Sequence, residues 1–184
     1  EALGLDYCCG GRRPLADACV EHGLDLDDVL RRVDAAASVE ASATWTSLDM
    51  VGLVDHIVGT HHNYLWSELR RLSALTEKIA DVHGARHPEL ADVATTYAAI
   101  RADLEIHLLK EERILFPLVR QLGAAGDVPS FHCGSLRNPL SVMLREHDTV
   151  GELLRRLRDL TGGYAAPADG CATYQACFRG LAEL

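Results

Sequence analysis

Apolar residues recur at spacings of three and four along most of this chain, which is the period of an amphipathic α-helix. The pattern predicts long helices from about Leu48 to Lys78, from about Pro88 to Leu122 and from about Asn138 to Leu160, and a fourth that begins near Cys171. Strand signals are nearly absent, because no short run alternates β-branched with polar residues between turn signals. Long helices joined by loops of roughly ten residues indicate an all-α, antiparallel four-helix bundle.

Two shorter helices precede the bundle. Pro14 suits an early helical position, Gly23 supplies a stop, and a second apolar stripe follows from Leu26 to Val33. The next stretch, SVEASATWTS, is small and polar apart from one tryptophan, which is typical of a linker. The predicted organisation is a small helical module at residues 1–37, a linker at 38–47 and the bundle at 48–184.

Charge and composition exclude several classes of function. The formal charge is −9, and the eighteen Lys and Arg residues are spread among acids, which argues against a nucleic-acid surface. The 48% hydrophobic and 24% charged residues are typical of a soluble globular protein. No apolar run approaches the ~20 residues that span a bilayer, and the first residues lack the order of a secretory signal. We therefore expect neither a membrane protein nor an exported one.

The six cysteines do not form the pattern of a disulfide scaffold, because two are adjacent and three lie far along the chain. A chain of 184 residues can bury a core without covalent bridges. We expect reduced thiols and a cytoplasmic location.

The sharpest local motif is HLLKEERILFP, in which His107 and Glu111 stand four residues apart. One helical turn separates them on the same face, within a stripe that includes Leu104, Leu108 and Leu115. A carboxylate in an apolar face is tolerated when it binds a cation, and a neutral imidazole beside it is a natural second ligand. The alternative is a half-solvated pair at the edge of the stripe.

Two other helices each carry a histidine on a predicted inward face. His62 is in step with Leu69, and His147 is in step with Leu140 and Leu144. Metal sites in the cores of helical bundles are built in this way, from side chains that several helices direct inward. Imidazole with carboxylate suits iron, manganese or zinc better than magnesium or calcium. Spacing alone leaves a metal-binding bundle and a bundle with edge histidines equally open.

Three residues close to these ligands in sequence could hydrogen-bond to them or transfer protons: His56, Asp103 and Glu146. The alternatives are a bundle-edge position for the histidine and solvated positions for the two carboxylates. Four further histidines are predicted at the surface, because they are rotated off the stripe or fall in loops: His61, His83, His87 and His132.

Cys8 and Cys9 are adjacent in LDYCCGGRRPLADAC, just before the helix that Pro14 opens. Thiols near a helix N-terminus and beside Arg12 and Arg13 ionise more easily. A vicinal disulfide is strained, so metal binding, nitric oxide capture or reaction with a partner's thiol is favoured over a structural bridge. The alternative is a pair of small residues packed at a turn.

Four segments, in this order, resemble the di-iron iron–sulfur cluster repair family, the repair-of-iron-centres proteins: DYCCGG, DHIVGTHH, HLLKEERILFP and SVMLREHD. An H-x-x-x-E helix alone is a weak signal, whereas the cysteine pair followed by three histidine-bearing segments is specific. The likeness spans nearly the whole chain. It implies a haemerythrin-like four-helix bundle behind a cysteine-pair N-terminal module of the ScdA type.

The resemblance also implies a cofactor and its ligands. The expected group is a pair of non-haem irons bridged by carboxylates and an oxo group. His62, His107 and His147 would be terminal ligands, and Glu111 would bridge the irons. The adjacent cysteines would be the functional thiols of the N-terminal module.

The end of the chain departs from this pattern. Family members carry another H-x-x-x-E motif on the fourth helix, whereas this chain stops at FRGLAEL. We therefore expect a truncated fourth helix and a site that lacks two ligands. Four protein groups cannot saturate two irons, so the chain would hold two metals weakly, hold one or none, or take ligands from water or another chain.

By resemblance, the function is repair of iron–sulfur clusters damaged by nitric oxide or oxidative stress, through iron donation or nitrosyl handling. The expected partners are damaged iron–sulfur proteins and small ligands such as nitric oxide or oxygen. One alternative is a haemerythrin-like protein that binds or senses iron, oxygen or nitric oxide without turnover. Another is a di-iron nitric oxide reductase, although a repair or iron-donor protein is expected rather than a classical enzyme.

Overall fold

A computed structural model describes residue 5 and residues 13–39, 44–124 and 137–184. Within these residues every regular element is helical, and no strand occurs. The all-α prediction is therefore confirmed. The chain divides into two compact units, Glu1–Leu48 and Asp49–Leu184.

The first unit contains α1 (Leu15–Glu21), α2 (Leu26–Val39) and a 3₁₀ helix at Thr44–Ser47. Gly23 ends α1 with a φ of 63°, and the Leu24 amide donates to the Cys19 carbonyl at 2.8 Å. This six-to-one hydrogen bond is a Schellman C-cap, which favours glycine at the left-handed position. Helix α2 runs two residues past the predicted module boundary.

The first long rod of the second unit is continuous from α3 (Met50–Ile57) through a π turn (Val58–His62) to α4 (Asn63–His83). Asp49 caps its start, because the carboxylate accepts a hydrogen bond from the Gly52 amide at 2.7 Å. The rod extends past the predicted end at Lys78.

The second rod consists of α5 (Glu89–Lys110), a π turn (Glu111–Leu115) and α6 (Phe116–Ala124). The third is α7 (Arg137–Leu160), and the fourth is α8 (Ala172–Glu183). Helix α5 packs against α4 and α7, and α8 packs against α4. The second unit is therefore a helical bundle.

The main core joins these four helices. Tyr97 lies fully buried at its centre and donates a hydrogen bond from its hydroxyl to the Leu69 carbonyl at 3.0 Å. Its other fully or almost fully buried apolar members include Leu72, Ile79, Leu90, Val93, Ile100, Leu108, Leu157 and Leu181. A second, smaller cluster consists of Val54, Leu115, Phe116 and Met143. Phe116 brings this second cluster next to the predicted metal site, since its ring centroid lies 5.3 Å from that of His62.

The predicted inward stripe of α7 was wrong in part. Leu140 and Leu144 are 45% and 51% exposed. The buried positions are Gly151 and three apolar side chains, Met143, Val150 and Leu157, which repeat every seven residues and so stay on one side of the helix. His147 is consequently at the border between the buried face and solvent.

The surface prediction for His83 was also wrong. Because α4 continues to His83, that ring is buried against Tyr174 of α8 at a centroid distance of 5.4 Å. His87 is half-buried in the following turn and contacts the same tyrosine at a ring-centroid distance of 5.8 Å.

Across the described helices, none is long and apolar enough to cross a membrane.

Candidate metal centre

Four side chains from three rods converge at one end of the bundle. Glu111 is central: its Oε2 lies 3.1 Å from His62 Nε2, and its Oε1 lies 3.4 Å from His107 Nε2. His147 reaches the group from α7, with its Nε2 2.9 Å from His107 Nε2. His62 and His107 are almost fully buried, whereas the outer side of His147 is exposed.

The donor atoms have the spacing of ligands to a common cation. His107, Glu111 and His147 each offer one ligand atom, and these atoms all lie within 4.8 Å of one another. Two ligands about 2.1 Å from a metal and at right angles to each other are about 3.0 Å apart. Imidazole nitrogen with carboxylate oxygen is also a donor set that suits iron, manganese or zinc. The residues present therefore fit a transition-metal cation.

Two further carboxylates hold the outer nitrogens of the imidazoles. Glu112 Oε1 lies 2.9 Å from His62 Nδ1 and also accepts a hydrogen bond from Trp66 Nε1 at 3.0 Å. Glu146 Oε2 lies 2.9 Å from His107 Nδ1. When each Nδ1–H donates to its carboxylate, the Nε2 lone pair faces the cluster. Such carboxylate–histidine pairs orient metal-binding imidazoles and make them more basic.

Glu146 also accepts a hydrogen bond from Lys110 Nζ, at its other oxygen, Oε1. Burial disfavours ionisation of Glu146, but hydrogen bonds from Lys110 and His107 outweigh it and lower the pKa of the carboxyl. Glu146 is therefore held as a carboxylate that can accept from His107.

Burial and the carboxylates set the protonation of the ligands. Burial opposes a charge on His107, but hydrogen bonds to Glu111 and Glu146 outweigh it and raise the pKa of the imidazole. Burial also opposes ionisation of Glu111, yet the hydrogen bond and charge of His107 lower its pKa. For His147, burial and then the charge on His107 lower the pKa. An ionised carboxylate thus lies beside an imidazole that stays neutral, as cation binding requires.

Both π turns in the described part of the bundle lie at this cluster. His62 is the last residue of one, and Glu111 is the first residue of the other. A π turn inserts one extra residue into a helical turn, which shifts the faces of the helix before and after it, and such turns are frequent at functional sites. Regular 3.6-residue spacing from the sequence does not foresee this shift.

The other predicted site residues lie in different surroundings. His56 Nδ1 is 3.4 Å from Thr60 Oγ1, and its ring packs at 6.0 Å on His61, so its contacts are along its own rod. Asp103 is exposed. Cys8 and Cys9 lie outside the described residues.

Sequence reasoning missed Glu112 and Trp66. The spacing of Trp66, four residues after His62, was the available signal, because it places the indole one turn further along the same face. Glu112 had no such signal, since an acid adjacent to Glu111 is rotated by about 100° on a regular helix.

An all-helical bundle in which imidazoles and a carboxylate from separate helices converge defines a cation-binding helical protein. The chain belongs to the hemerythrin family, because residues 53–184 match the Hemerythrin HHE cation binding domain. Residues 1–37 match a second family, ScdA_N, described as a domain of unknown function.

Full-length relatives extend this result. The chain is 31% identical over 182 residues to the iron-sulfur cluster repair protein YtfE of Salmonella newport, strain SL254, and the alignment covers 98% of this chain and 78% of that protein. The proteins of the same name from Salmonella heidelberg, strain SL476, and Salmonella agona, strain SL483, give the same values. The family resemblance seen in the four sequence segments is therefore confirmed.

Proposed function

We propose that this protein holds iron at His62, His107, Glu111 and His147 and works in the repair of damaged iron–sulfur clusters. The name of the relatives supports repair, because the similarity extends over 98% of the chain rather than over one motif. The observation that carries the iron site is the position of the Glu111 carboxylate, which lies between two buried imidazoles.

The two oxygens of Glu111 favour a pair of irons over a single one. Oε2 faces His62, whereas Oε1 faces His107, so one carboxylate reaches two separate imidazole positions. His147 contacts His107 and therefore belongs to the second position. In this proposal His62 would hold one iron, His107 and His147 would hold the other, and Glu111 would be a ligand to both.

Bound iron would supply redox chemistry and a binding position for small ligands such as nitric oxide or oxygen. The residues of the chain determine how firmly iron is held. Glu112 and Glu146 keep the imidazoles oriented. Because His147 is exposed, a metal or small ligand would reach the cluster from its side. A carboxylate bridge can change from two bound oxygens to one, which favours release of iron as cargo.

The N-terminal module supplies the second part of the proposal. Cys8 and Cys9 would transfer iron or nitrosyl groups between this protein and a cluster protein damaged by nitric oxide or oxidative stress. The matches at residues 1–37 and 53–184 support the division into a module at 1–37, a linker at 38–47 and a bundle at 48–184. Reduced thiols at Cys171 and Cys177 are in keeping with a cytoplasmic location.

The test measures iron per chain and the reactivation of a cluster enzyme that nitric oxide has inactivated. The wild type is compared with Glu111→Gln and with the double variant Cys8→Ser, Cys9→Ser. Glu105→Gln serves as the matched control, because Glu105 is in the same helix and pairs with Arg101 at 2.8 Å. The wild type and the control should bind iron and restore activity, and Glu111→Gln should lose both.

The double cysteine variant distinguishes the alternatives. Under the repair proposal it keeps its iron but restores the enzyme poorly. Equal restoration by the cysteine variant would limit the protein to iron storage or sensing. Catalytic production of nitrous oxide from purified protein with a reductant would identify a nitric oxide reductase. Iron-free wild type, or full repair by Glu111→Gln, would contradict the proposal.

A further inference from the structure

A second pair of reactive groups lies at the other end of α4, with one group on that helix and the other just before α8. His83 is the last residue of α4, and 21 residues separate it from His62, or about 30 Å along a helix. Its Nε2 lies 3.2 Å from the Sγ of Cys171, which precedes α8. Cys171 is exposed, whereas His83 is only 4% exposed.

The unpaired nitrogen of His83 indicates how the pair is protonated. Its Nδ1 is buried and has no hydrogen-bond partner among the described residues. A proton on Nδ1 would place an unpaired N–H in the protein interior, which costs about 1–3 kcal/mol. The favoured tautomer of the imidazole therefore carries its proton on Nε2, and that N–H is directed at the sulfur. A sulfur that accepts such a hydrogen bond is stabilised as the thiolate.

The start of α8 also stabilises the thiolate form of Cys171. Cys171 is the N-cap residue of this 12-residue helix, where unpaired backbone amides and the helix dipole stabilise negative charge. A hydrogen bond from the Tyr174 amide, and next the one from His83, lower the pKa of Cys171 to about 7. An exposed thiol of this kind is a thiolate in an appreciable fraction at neutral pH.

The neighbouring charges are mainly acidic. Asp169, two residues before the cysteine, accepts from His87 Nε2 at 3.1 Å and pairs with Arg86 at 3.4 Å. Next to them is a pocket of about 380 Å³ that has Tyr174 and His87 in its wall, and its carboxylates are Glu89 and Asp159. These three acids outnumber the one arginine of the group, and this excess of negative charge disfavours the approach of an anionic reagent.

We infer that Cys171 and His83 form a nucleophilic thiol site that reacts by exchange with small neutral or cationic disulfides. This site is separate from the iron centre and does not depend on the proposed repair function. The Cys171 thiolate attacks one sulfur of R–S–S–R, the S–S bond breaks, and a new bond joins Cys171 Sγ to that sulfur. The second sulfur leaves as RS⁻ and takes a proton from water. One disulfide replaces another, so no external oxidant or reductant is consumed.

The test follows modification of each cysteine by peptide mass spectrometry in the full-length protein. Three disulfides of similar size are compared at several pH values: cationic cystamine, neutral bis(2-hydroxyethyl) disulfide and anionic 3,3′-dithiodipropionate. Cys171 in the wild type should react with a midpoint near pH 7, and the anionic reagent should react most slowly at low ionic strength.

The matched variants are His83→Phe and His87→Phe, because both rings contact Tyr174 but only His83 contacts the sulfur. Without His83 the midpoint should rise toward the ordinary value of about 8.5. Complete return to that value would lower the thiolate fraction at pH 7 about 16-fold and raise its nucleophilicity about fivefold, a net slowing of about threefold. His87→Phe should leave the midpoint near that of the wild type.

Several results would overturn the inference. These are a wild-type midpoint at the ordinary thiol value, Cys171 reacting no faster than buried Cys177, or an unchanged midpoint in a folded His83→Phe variant. If His83→Phe does not fold, His83→Gln is measured in its place, with the same expected rise. Fastest reaction with the anionic disulfide would contradict the assignment of reagent class.

Discussion

His107 Nε2 and His147 Nε2 lie 2.9 Å apart, with ring centroids 4.6 Å apart, although 40 residues separate them in the chain. Two N–H groups cannot face each other at that distance, so at least one of these nitrogens carries no proton. Burial and the charge on His107 lower the pKa of His147, which makes His147 the imidazole that stays neutral. A nitrogen lone pair therefore becomes free for a cation once any proton shared between the two rings has left.

The first prediction concerns that free lone pair. His147→Ala should weaken iron binding at least tenfold, because it removes a nitrogen donor that the other three residues cannot replace. Iron retained per chain after dialysis against a graded series of chelator concentrations measures the effect. His61→Ala is the control, since His61 is exposed and packs on His56. Equal retention by both variants would exclude His147 as a ligand.

The second prediction concerns the two carboxylates that orient the imidazoles without being metal ligands themselves. Glu112→Gln and Glu146→Gln should each weaken metal binding about 10–100-fold, because each removes the negative charge that holds an Nδ1–H while leaving every ligand in place. The same chelator competition measures the change. Glu105→Gln should bind as the wild type does. If the two variants also match the wild type, the outer carboxylates do not tune the site.

The sequence predicted the helices and the four clustered side chains through two separate signals. Helical periodicity placed His107 and Glu111 one turn apart, and this spacing persists because α5 is regular to Lys110 and the π turn begins only at Glu111. The helices could also be predicted from the sequence, because Gly, Pro and polar loops interrupt the long apolar stripes. Interhelical pairing of His107 with His147 depends on how α5 and α7 pack, which single-helix periodicity does not contain.

Errors arose where a helix was followed by a turn. The end of α4 was predicted near Lys78 because Gly84 and Pro88 break the pattern soon afterwards, yet burial of Ile79 and His83 extends the helix by another turn. The contact between His83 and Cys171 joins residues 88 apart and so has no local signature. Tertiary packing decided these positions.

The third prediction concerns Cys177, which is fully buried. Burial raises the pKa of its thiol to about 12. At pH 8 the thiolate fraction is then about 10⁻⁴, so iodoacetamide should leave Cys177 unlabelled in the native protein while it labels exposed cysteines. Mass spectrometry of labelled peptides gives the extent, and labelling in denaturant is the control. Rapid native labelling would mean that α8 opens locally.

The fourth prediction tests the core hydrogen bond of Tyr97. Tyr97→Phe should lower the free energy of unfolding by about 1 kcal/mol, because it removes a buried hydroxyl that donates to the Leu69 carbonyl. Tyr64→Phe is the control: Tyr64 is in α4, the helix that contains Leu69, but it is 38% exposed and its hydroxyl makes only a 3.4 Å contact with the Glu183 carbonyl. Urea unfolding measures both. Equal losses would show that the Tyr97 hydrogen bond contributes little.

The fifth prediction concerns the close contact of α8 with α4 at Gly180. A Cβ there would lie 2.6 Å from Leu72 Cδ2 and 2.6 Å from Arg71 Nη2. The arginine end can move, but Leu72 is fully buried in the core and cannot move without disturbing its neighbours. Gly180→Ala should therefore destabilise the protein by about 1–3 kcal/mol, despite the higher helix propensity of alanine.

Gly59→Ala is the control for this prediction, because a Cβ at Gly59 meets no heavy atom within 4 Å. It should be neutral or stabilise the protein by up to about 1 kcal/mol, since alanine restricts the unfolded chain. Urea unfolding of both variants gives the difference. A Gly180→Ala protein as stable as the Gly59→Ala protein would mean that α8 can move away from α4 at little cost. Helix α8 would then be held mainly by residues such as Cys177 and Leu181 rather than by close approach of the two backbones.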